Sequence, residues 1–414
     1  MMELLEQELR KSFAFFWDNA NRDRNSRAYG LIVDDTSKPE IASIASVGFG
    51  LSLIPIGIER GYLTHDKGLE ASILTLRTFL DVVPHYKGFF MHFVNLKTGA
   101  PKAGCEYSTI DTAFFLNGAM VVDAYFNDPE LHDTFMKVYD RVDWKSFCFD
   151  RDGKTLFRMA YNPVEGGDYR HKSDNPWIWQ WDMFAEQLSM YFLAAASDTI
   201  SKNLAMDLYH GFSRKTGRYR QFEYIYSPGN QLFVYQYSHA WVDFKNYLDP
   251  QGIDWAENTR QATYANRQWC IDHASSYHLL SDEVWGVTSC LTPEGYRGQG
   301  VSPNDSLHHP NGHFSGAIPP SGSLGSLPYA PEIVQSAALH LATHYPGSIG
   351  KYGFKDSIAL KDGNVWICPD YIGIDKGITA LMIDNHQTQM TWNLYMRHPL
   401  IKKAITKLGF TEKR

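Results

Sequence analysis

The sequence is poor in residues that would build a covalent or metal-held frame. Its five cysteines, Cys105, Cys148, Cys270, Cys290 and Cys368, are scattered, odd in number and never spaced C-x-x-C. That argues against a disulfide scaffold and the common zinc patterns, and reads as small buried hydrophobes in a reducing compartment. Positive charge is also short: 39 Lys and Arg against 46 Asp and Glu leave a net charge of −7. A nucleic-acid or anionic-membrane partner therefore has no electrostatic support. No uncharged apolar run reaches the roughly 18 residues that suggest a membrane helix. Glu3, Glu6 and Glu8 stand where a signal peptide would carry a basic start and an apolar stretch. The expected location is cytoplasmic, or periplasmic or secreted if a leader has been removed. There is no G-x-G-x-x-G after a strand, no P-loop and no G-x-S-x-G elbow, so nucleotide and serine-hydrolase chemistry lack a signature.

Apolar and aromatic residues are plentiful instead. A hydrophobic share of 44% is ample for a core, and 11 Trp with 24 Tyr are more than a core needs. Rings that pack on the C–H faces of sugars are one explanation, and a large aromatic core is the other. Leu5, Leu9, Phe13 and Phe16 form a helical stripe. Hydrophobic spacing predicts further helices at 42–60, 65–83, 109–126, 129–142, 176–197, 201–213, 236–246, 254–277, 331–345, 376–396 and 399–408, twelve in all. Thr109–Phe126 and Trp177–Ala196 are apolar on more than one face, so they must be buried on both sides, whereas 65–83 and 129–142 keep a polar face. That alternation suits an all-α (α/α)6 toroid, with inner helices around a central cavity; an irregular bundle or solenoid is the competing architecture. Residues 1–414 read as one catalytic domain, since no linker or composition shift divides them. Short hairpins are expected at Gly88–Val94 and at Gln221–Tyr226 with Gln231–Tyr237. Gly295–Tyr329 has no period and reads as a long loop over one mouth of the cavity.

Among chemically active groups, His308, His309 and His313 are the densest histidines, but their spacing matches no zincin. They read as a solvated loop, and no metal or other cofactor is expected. Glu186, in Trp179-Gln-Trp-Asp-Met-Phe-Ala-Glu-Gln-Leu-Ser-Met190, is placed by the predicted helix among Trp179, Met183 and Met190. Desolvation there would raise its pKa, as a general acid requires. A structural glutamate bonded to a neighbouring helix is the alternative. Asp375, in Gly373-Ile-Asp-Lys-Gly377, falls where a helix should start; the helix dipole and Lys376 would keep it ionised. A plain helix cap is the alternative there. Two carboxyls pushed apart in pKa form the pattern that glycoside hydrolysis uses. Asp111 and Glu106 flank the start of another doubly buried helix, where they could bind sugar hydroxyls or cap it.

The motifs Ala45-Ser-Val-Gly-Phe-Gly50, Gly88-Phe-Phe-Met-His-Phe93, Glu106-Tyr-Ser-Thr-Ile-Asp-Thr112 and Leu232-Phe-Val-Tyr-Gln-Tyr-Ser-His239 resemble those of the bacterial glycoamylase-like family. Trp285-Gly-Val-Thr288, Gly325-Ser-Leu-Pro-Tyr-Ala-Pro331, Gly373-Ile-Asp-Lys-Gly377 and Leu408-Gly-Phe410 continue the match in order over nearly the whole chain. The resemblance extends to glycoside hydrolase family 144 and related endo-β-1,2-glucanases. It implies an (α/α)6 barrel and an inverting two-carboxylate mechanism, with Glu186 as acid and Asp375 as base, acting through a substrate hydroxyl. The substrate implied is a β-glucan oligo- or polysaccharide, bound by Asp111, Glu106, Trp179, Trp181, Tyr237, His239 and Trp285. Two departures bear on substrate length or linkage: Asp384-Asn385 where the family commonly has Glu-Asn, and Phe184-Ala-Glu186 where relatives often have Tyr-Ser-Glu. An exo-acting or other-linkage hydrolase, a transglycosylase, a lyase or phosphorylase on the same toroid, and a non-catalytic glucan-binding protein are the remaining readings.

Overall fold

The computed structural model describes residues 2–170, 175–301, 303 and 314–413. The histidines at 308, 309 and 313 lie outside them. Thirteen α-helices form among the described residues. In chain order they are α1 (Met2–Asp18), α2 (Ile44–Glu59), α3 (His65–Asp81), α4 (Thr109–Phe126), α5 (Pro129–Asp140), α6 (Leu188–Ala196) and α7 (Lys202–Gly211). They continue with α8 (Trp255–Asp272), α9 (Pro320–Leu324), α10 (Pro331–His344), α11 (Gly373–Gln387), α12 (Met390–Arg397) and α13 (Pro399–Leu408).

Two kinds of helix sort into two rings. α6 and α9 are buried at every position, and α2, α4 and α11 at nearly every one, so they have no solvent stripe and must be enclosed. α1, α3, α5, α7, α8, α10 and α13 each bury one face and form the outer layer. The sixth inner sector, near residues 232–240, is two 3-10 turns. The architecture is the expected (α/α)6 toroid, and one core cluster runs from Leu5 to Phe410.

Inner helices α2 and α4 approach backbone to backbone. A Cβ at Gly118 would lie 1.9 Å from the Gly48 carbonyl oxygen, and one at Gly48 would lie 2.2 Å from that of Phe114. Polar side chains then tie neighbours together. Asn117 of α4 donates to Ser189 of α6 at 3.0 Å and accepts from Tyr395 of α12 at 2.7 Å. Trp241 Nε1 donates to Ser52 of α2 at 2.8 Å. Lys376 and Glu8 form a buried ion pair joining α11 to α1, and the Phe354 amide donates to Glu8 at 2.8 Å.

Four expectations need correction. Residues 176–197 are not one helix: Trp177–Gln180 is a strand paired antiparallel with Lys154–Tyr161, and the helix starts only at Leu188. Trp-Ile-Trp-Gln carries a period of two that fits a pleat as well as a helix. Residues 236–246 are not α-helical, because neighbours take the carbonyls a helix would use: Thr259 bonds Tyr235 O, Trp392 bonds His239 O and Asn385 bonds Ala240 O. The predicted 376–396 helix is two, broken at Gln389 in a left-handed conformation (φ 59°), with Asp384 and Asn385 side chains accepting the Thr391 and Trp392 amides. The hairpins re-pair as well: Phe222–Ile225 joins Thr216–Tyr219, and Phe93–Asn95 joins Ile41–Ser43. Within Gly295–Tyr329 the described residues include the end of a Cys290–Arg297 hairpin, a short strand at Ala317–Ile318, and α9.

Gly118→Ala should destabilise the protein strongly. Overpacking usually costs about 1–3 kcal/mol, and here the obstacle is a backbone carbonyl that cannot rotate away. Thermal unfolding followed by circular dichroism should show a clearly lower midpoint than wild type; an unchanged midpoint would refute the close approach.

Candidate active site

Four inner helices begin at one mouth. A Cβ at Gly373 of α11 would touch Ser46 in the first turn of α2, and the Gly373 amide bonds Asp34 O at 2.7 Å. The Ile44 amide, opening α2, bonds His92 O at 3.1 Å, and the His92 amide bonds Glu106 O at 3.0 Å just before α4. Thr109, the first residue of α4, accepts Trp181 Nε1 at 3.0 Å, which brings in the segment leading to α6. The positive ends of these helices therefore converge at this mouth, where carboxylates are favoured.

His92 is the centre of one half of the site. Its Nδ1 lies 2.7 Å from Glu106 and its Nε2 lies 3.3 Å from Asp111. Burial opposes its charge, but Asp111, Glu106 and Asp34 together raise its pKa to about 9. Burial likewise works to raise Glu106, yet the His92 hydrogen bond and charge hold it below its ordinary value. Asp111 is raised by burial despite His92. Asp34 is raised to about 6 by burial, against the pull of His92. Asp34 and His92 were not among the predicted site residues, although His92 lies inside a quoted motif; its value as a fixed cation depends on two acids that only folding brings to it.

Glu186 sits in the turn before α6, not on a helix face as expected. It is half-buried, as a carboxyl at the bottom of a cleft would be. Burial raises its pKa to about 7, its own backbone amide works against that, and Asp111 adds to it. Asp375 is buried in the first turn of α11 and accepts from the Tyr237 hydroxyl at 3.4 Å. Asp375 is less acidic than its place at a helix start predicts. The Lys376 ammonium bonds Glu8, and burial raises Asp375 to about 6 although Asp356, Tyr237, Ser321 and the more distant charge of Lys376 all favour its ionised form. Tyr237 connects the two halves electrostatically: burial chiefly raises its pKa, with Asp375, Tyr296 and Glu186 adding to the effect.

The other predicted binding residues divide. Trp179 is 51% exposed and its ring lies 5.9 Å from that of Tyr169, itself 55% exposed, forming an aromatic lip. Tyr169 lies within electrostatic reach of Glu106 and Asp111, although burial is the main cause of its raised pKa. Trp181 is buried with its indole nitrogen engaged, so it supports the site from behind. His239 is a core residue: Tyr329 and Thr259 occupy its two ring nitrogens at 2.8 and 3.1 Å, and burial lowers its pKa to about 3. It has no nitrogen left for a sugar. Trp285 is fully buried and presents no open ring face. Asp384 caps α12 nine residues beyond Asp375, about 13 Å along the helix, so that departure lies away from the site. Among the described residues Cys105, Glu106 and Asp168 could together hold a cation, but Lys102 already binds Asp168 at 2.7 Å and His92 binds Glu106.

A family model named Glycoamylase and described as "Putative glucoamylase" matches residues 178–399. An exo beta-1,2-glucooligosaccharide sophorohydrolase (non-reducing end) from Parabacteroides distasonis is 24% identical across 98% of the chain, and the chain spans 58% of that relative's length. A "putative glucoamylase" structure from Bacteroides uniformis superposes with a TM-score of 0.83 at 27% identity, covering 99% of this chain and 97% of that one. An endo-beta-1,2-glucanase from Chitinophaga pinensis, solved with sophorotriose and glucose, also gives a TM-score of 0.83, at 24% identity and with coverage of 99% and 98%.

Because the folded His92 pKa of about 9 exceeds its ordinary value of 6.5, its stabilising contribution is complete below about pH 6.5 and is lost as pH rises through about 9. Urea unfolding of wild type should therefore weaken between those values by more than that of His92→Gln. Equal pH dependence in both proteins would show that the imidazolium is not held by the acids around it.

Proposed function

The chain belongs to the glycoamylase family, and from that premise we propose that it is an inverting glycoside hydrolase acting on β-1,2-linked glucan. One relation carries the reading: Glu186 and Asp375 both lie within electrostatic reach of Tyr237, which donates to Asp375, with Glu186 raised to about 7 and Asp375 to about 6. Around neutral pH this leaves a protonated fraction on the first and an ionised second, the division of labour that hydrolysis of a glycosidic bond needs. The linkage is supported by the names of the relatives, which act on β-1,2-glucans.

In the reaction Glu186 gives its proton to the glycosidic oxygen as the bond to the anomeric carbon breaks. Water attacks that carbon from the opposite face, and its proton passes through a substrate hydroxyl to Asp375. The fixed acids Glu106 and Asp111, clamped by His92, accept hydrogen bonds from sugar hydroxyls, and Trp179 with Tyr169 stacks on a ring at the lip. Inversion requires room for a water between base and anomeric carbon, so the two carboxyls should lie farther apart than the roughly 5–5.5 Å of retaining pairs.

Glu186→Gln and Asp375→Asn should each cut release of reducing sugar from β-1,2-glucan by about 10²–10⁴, with little change in substrate binding. Either variant keeping a tenth of wild-type turnover would remove that residue from its role. Proton NMR of the first product should show the α-anomer; an initial β-anomer would replace inversion with retention. The product sizes read the mode of attack: one dominant disaccharide for exo cleavage, a ladder for endo cleavage.

The pH profile follows from the same two groups. The kcat/KM of wild type should peak between about pH 6 and 7, falling below as Asp375 gains a proton and above as Glu186 loses one. Removing the neighbouring negative charge by Asp111→Asn should move the alkaline limb to lower pH, because Asp111 helps to raise Glu186. An alkaline limb that stays in place would separate the limb from Glu186.

A further inference from the structure

Asp356 precedes the strand Ile358–Lys361 and is buried against the start of α11. One of its oxygens, Oδ2, accepts the Leu291 amide at 2.6 Å. The other, Oδ1, is completely enclosed and, among the described residues, receives no N–H or O–H. A small void there is lined by Ser321, Asp356, Asp375, Lys376 and Thr379. Asp356 and Asp375 lie within hydrogen-bonding reach of each other.

The charges around this pair leave few ways to stabilise it. Lys376 lines the void, but its ammonium is committed to Glu8 and the Phe354 carbonyl. Asp35, Tyr296 and the Cys290 and Cys368 thiols lie in electrostatic range and bring no cation. Tyr237 donates to Asp375 from the third side. Two buried carboxylates at this distance cannot both be ionised. A donorless oxygen facing another carboxylate is satisfied most directly by a hydrogen of its own.

We propose that Asp356 is a positioning residue for the base: it stays protonated and donates through Oδ1 to Asp375, fixing that carboxylate against Tyr237 and Ser321 with its free edge toward the cavity. Burial and the charge of Asp375 push the Asp356 carboxyl well above its ordinary range, in keeping with this. A neutral acid succeeds here where a lysine would fail. It orients the base by a strong hydrogen bond without adding a full positive charge, which would depress its basicity. The inference rests on Asp375 being the base of the proposed reaction.

The test compares Asp356→Asn with Asp356→Val, using β-1,2-glucan across pH 4–9, with thermal midpoints as a check on folding. Asparagine is neutral, matches the shape and can still donate to Asp375. It should retain kcat within about threefold of wild type and leave the acid limb near its original position. Valine removes the donor; kcat should fall at least tenfold with KM nearly unchanged, and the acid limb should move to higher pH. Asparagine as damaging as valine, or valine with a wild-type profile, would overturn the proposal. If the valine protein does not fold, the asparagine profile still decides: loss of kcat beyond tenfold in a folded Asp356→Asn protein refutes the neutral-donor role. Asp375→Asn separates this from the wider reading, since an active Asp375→Asn enzyme defeats the base assignment itself, whereas an inactive one leaves the Asp356 comparison to stand or fall alone.

Discussion

Six carboxyl groups, Asp34, Glu106, Asp111, Glu186, Asp356 and Asp375, form an electrostatically linked cluster near the starts of the inner helices, and their mutual repulsion is the problem the mouth of the barrel has to solve. Charges a few ångströms apart interact by about 1 kcal/mol in water and by several times more where protein replaces solvent. Three devices keep the cluster together. Inner helices direct their positive ends at it. The His92 imidazolium bridges Glu106 and Asp111. Protonation removes the charges that remain, favoured by burial at Glu186 and by burial together with the opposing carboxylate at Asp356. The spread of proton affinities that catalysis would use is thus a by-product of holding so many acids in one place.

The inner ring has to be stiff for this to work, because a helix that shifted would carry its acid with it. Stiffness comes from contacts that leave no slack. α2 and α4 touch through Gly48 and Gly118, Phe49 packs between Tyr237 and Trp241 with ring centroids at 5.8 and 4.8 Å, and the buried Lys376–Glu8 pair holds α11 against α1. That ion pair also fixes the Lys376 ammonium on Glu8, so that only its longer-range charge reaches Asp375. Packing in the outer layer and basicity in the cavity are therefore linked through a single side chain. The sector at 232–240 shows the same economy, since its carbonyls bond to side chains of neighbouring helices and Tyr237 is left facing the base.

Hydrophobic spacing was enough to read the helices whose burial is uniform or cleanly one-sided: α2, α3, α4, α5, α7 and α13 fall where the pattern places them, within a few residues. An enclosed helix must be apolar all round and an outer helix must keep one polar face, so the toroid follows from composition along the chain. Glu186, Asp375, Asp111 and Glu106 were likewise legible as acids in apolar company. Spacing failed where partners outside the segment decide the conformation. Trp177–Gln180 became a strand because Arg158, Ala160 and Tyr161 pair with it, and 232–240 lost its helix to side chains distant in sequence. The protonation pattern belongs wholly to tertiary structure. A sequence places Lys376 beside Asp375, but a side chain five or six ångströms long can turn to either side of its helix, and only the position of Glu8 determines that it turns away. The partners that set the site's pKa values, His92 between Glu106 and Asp111 and Asp356 against Asp375, meet across 14 to 19 residues of chain. Coulomb and hydrogen-bond energies depend on distance in space, and for these pairs only the folded toroid sets that distance.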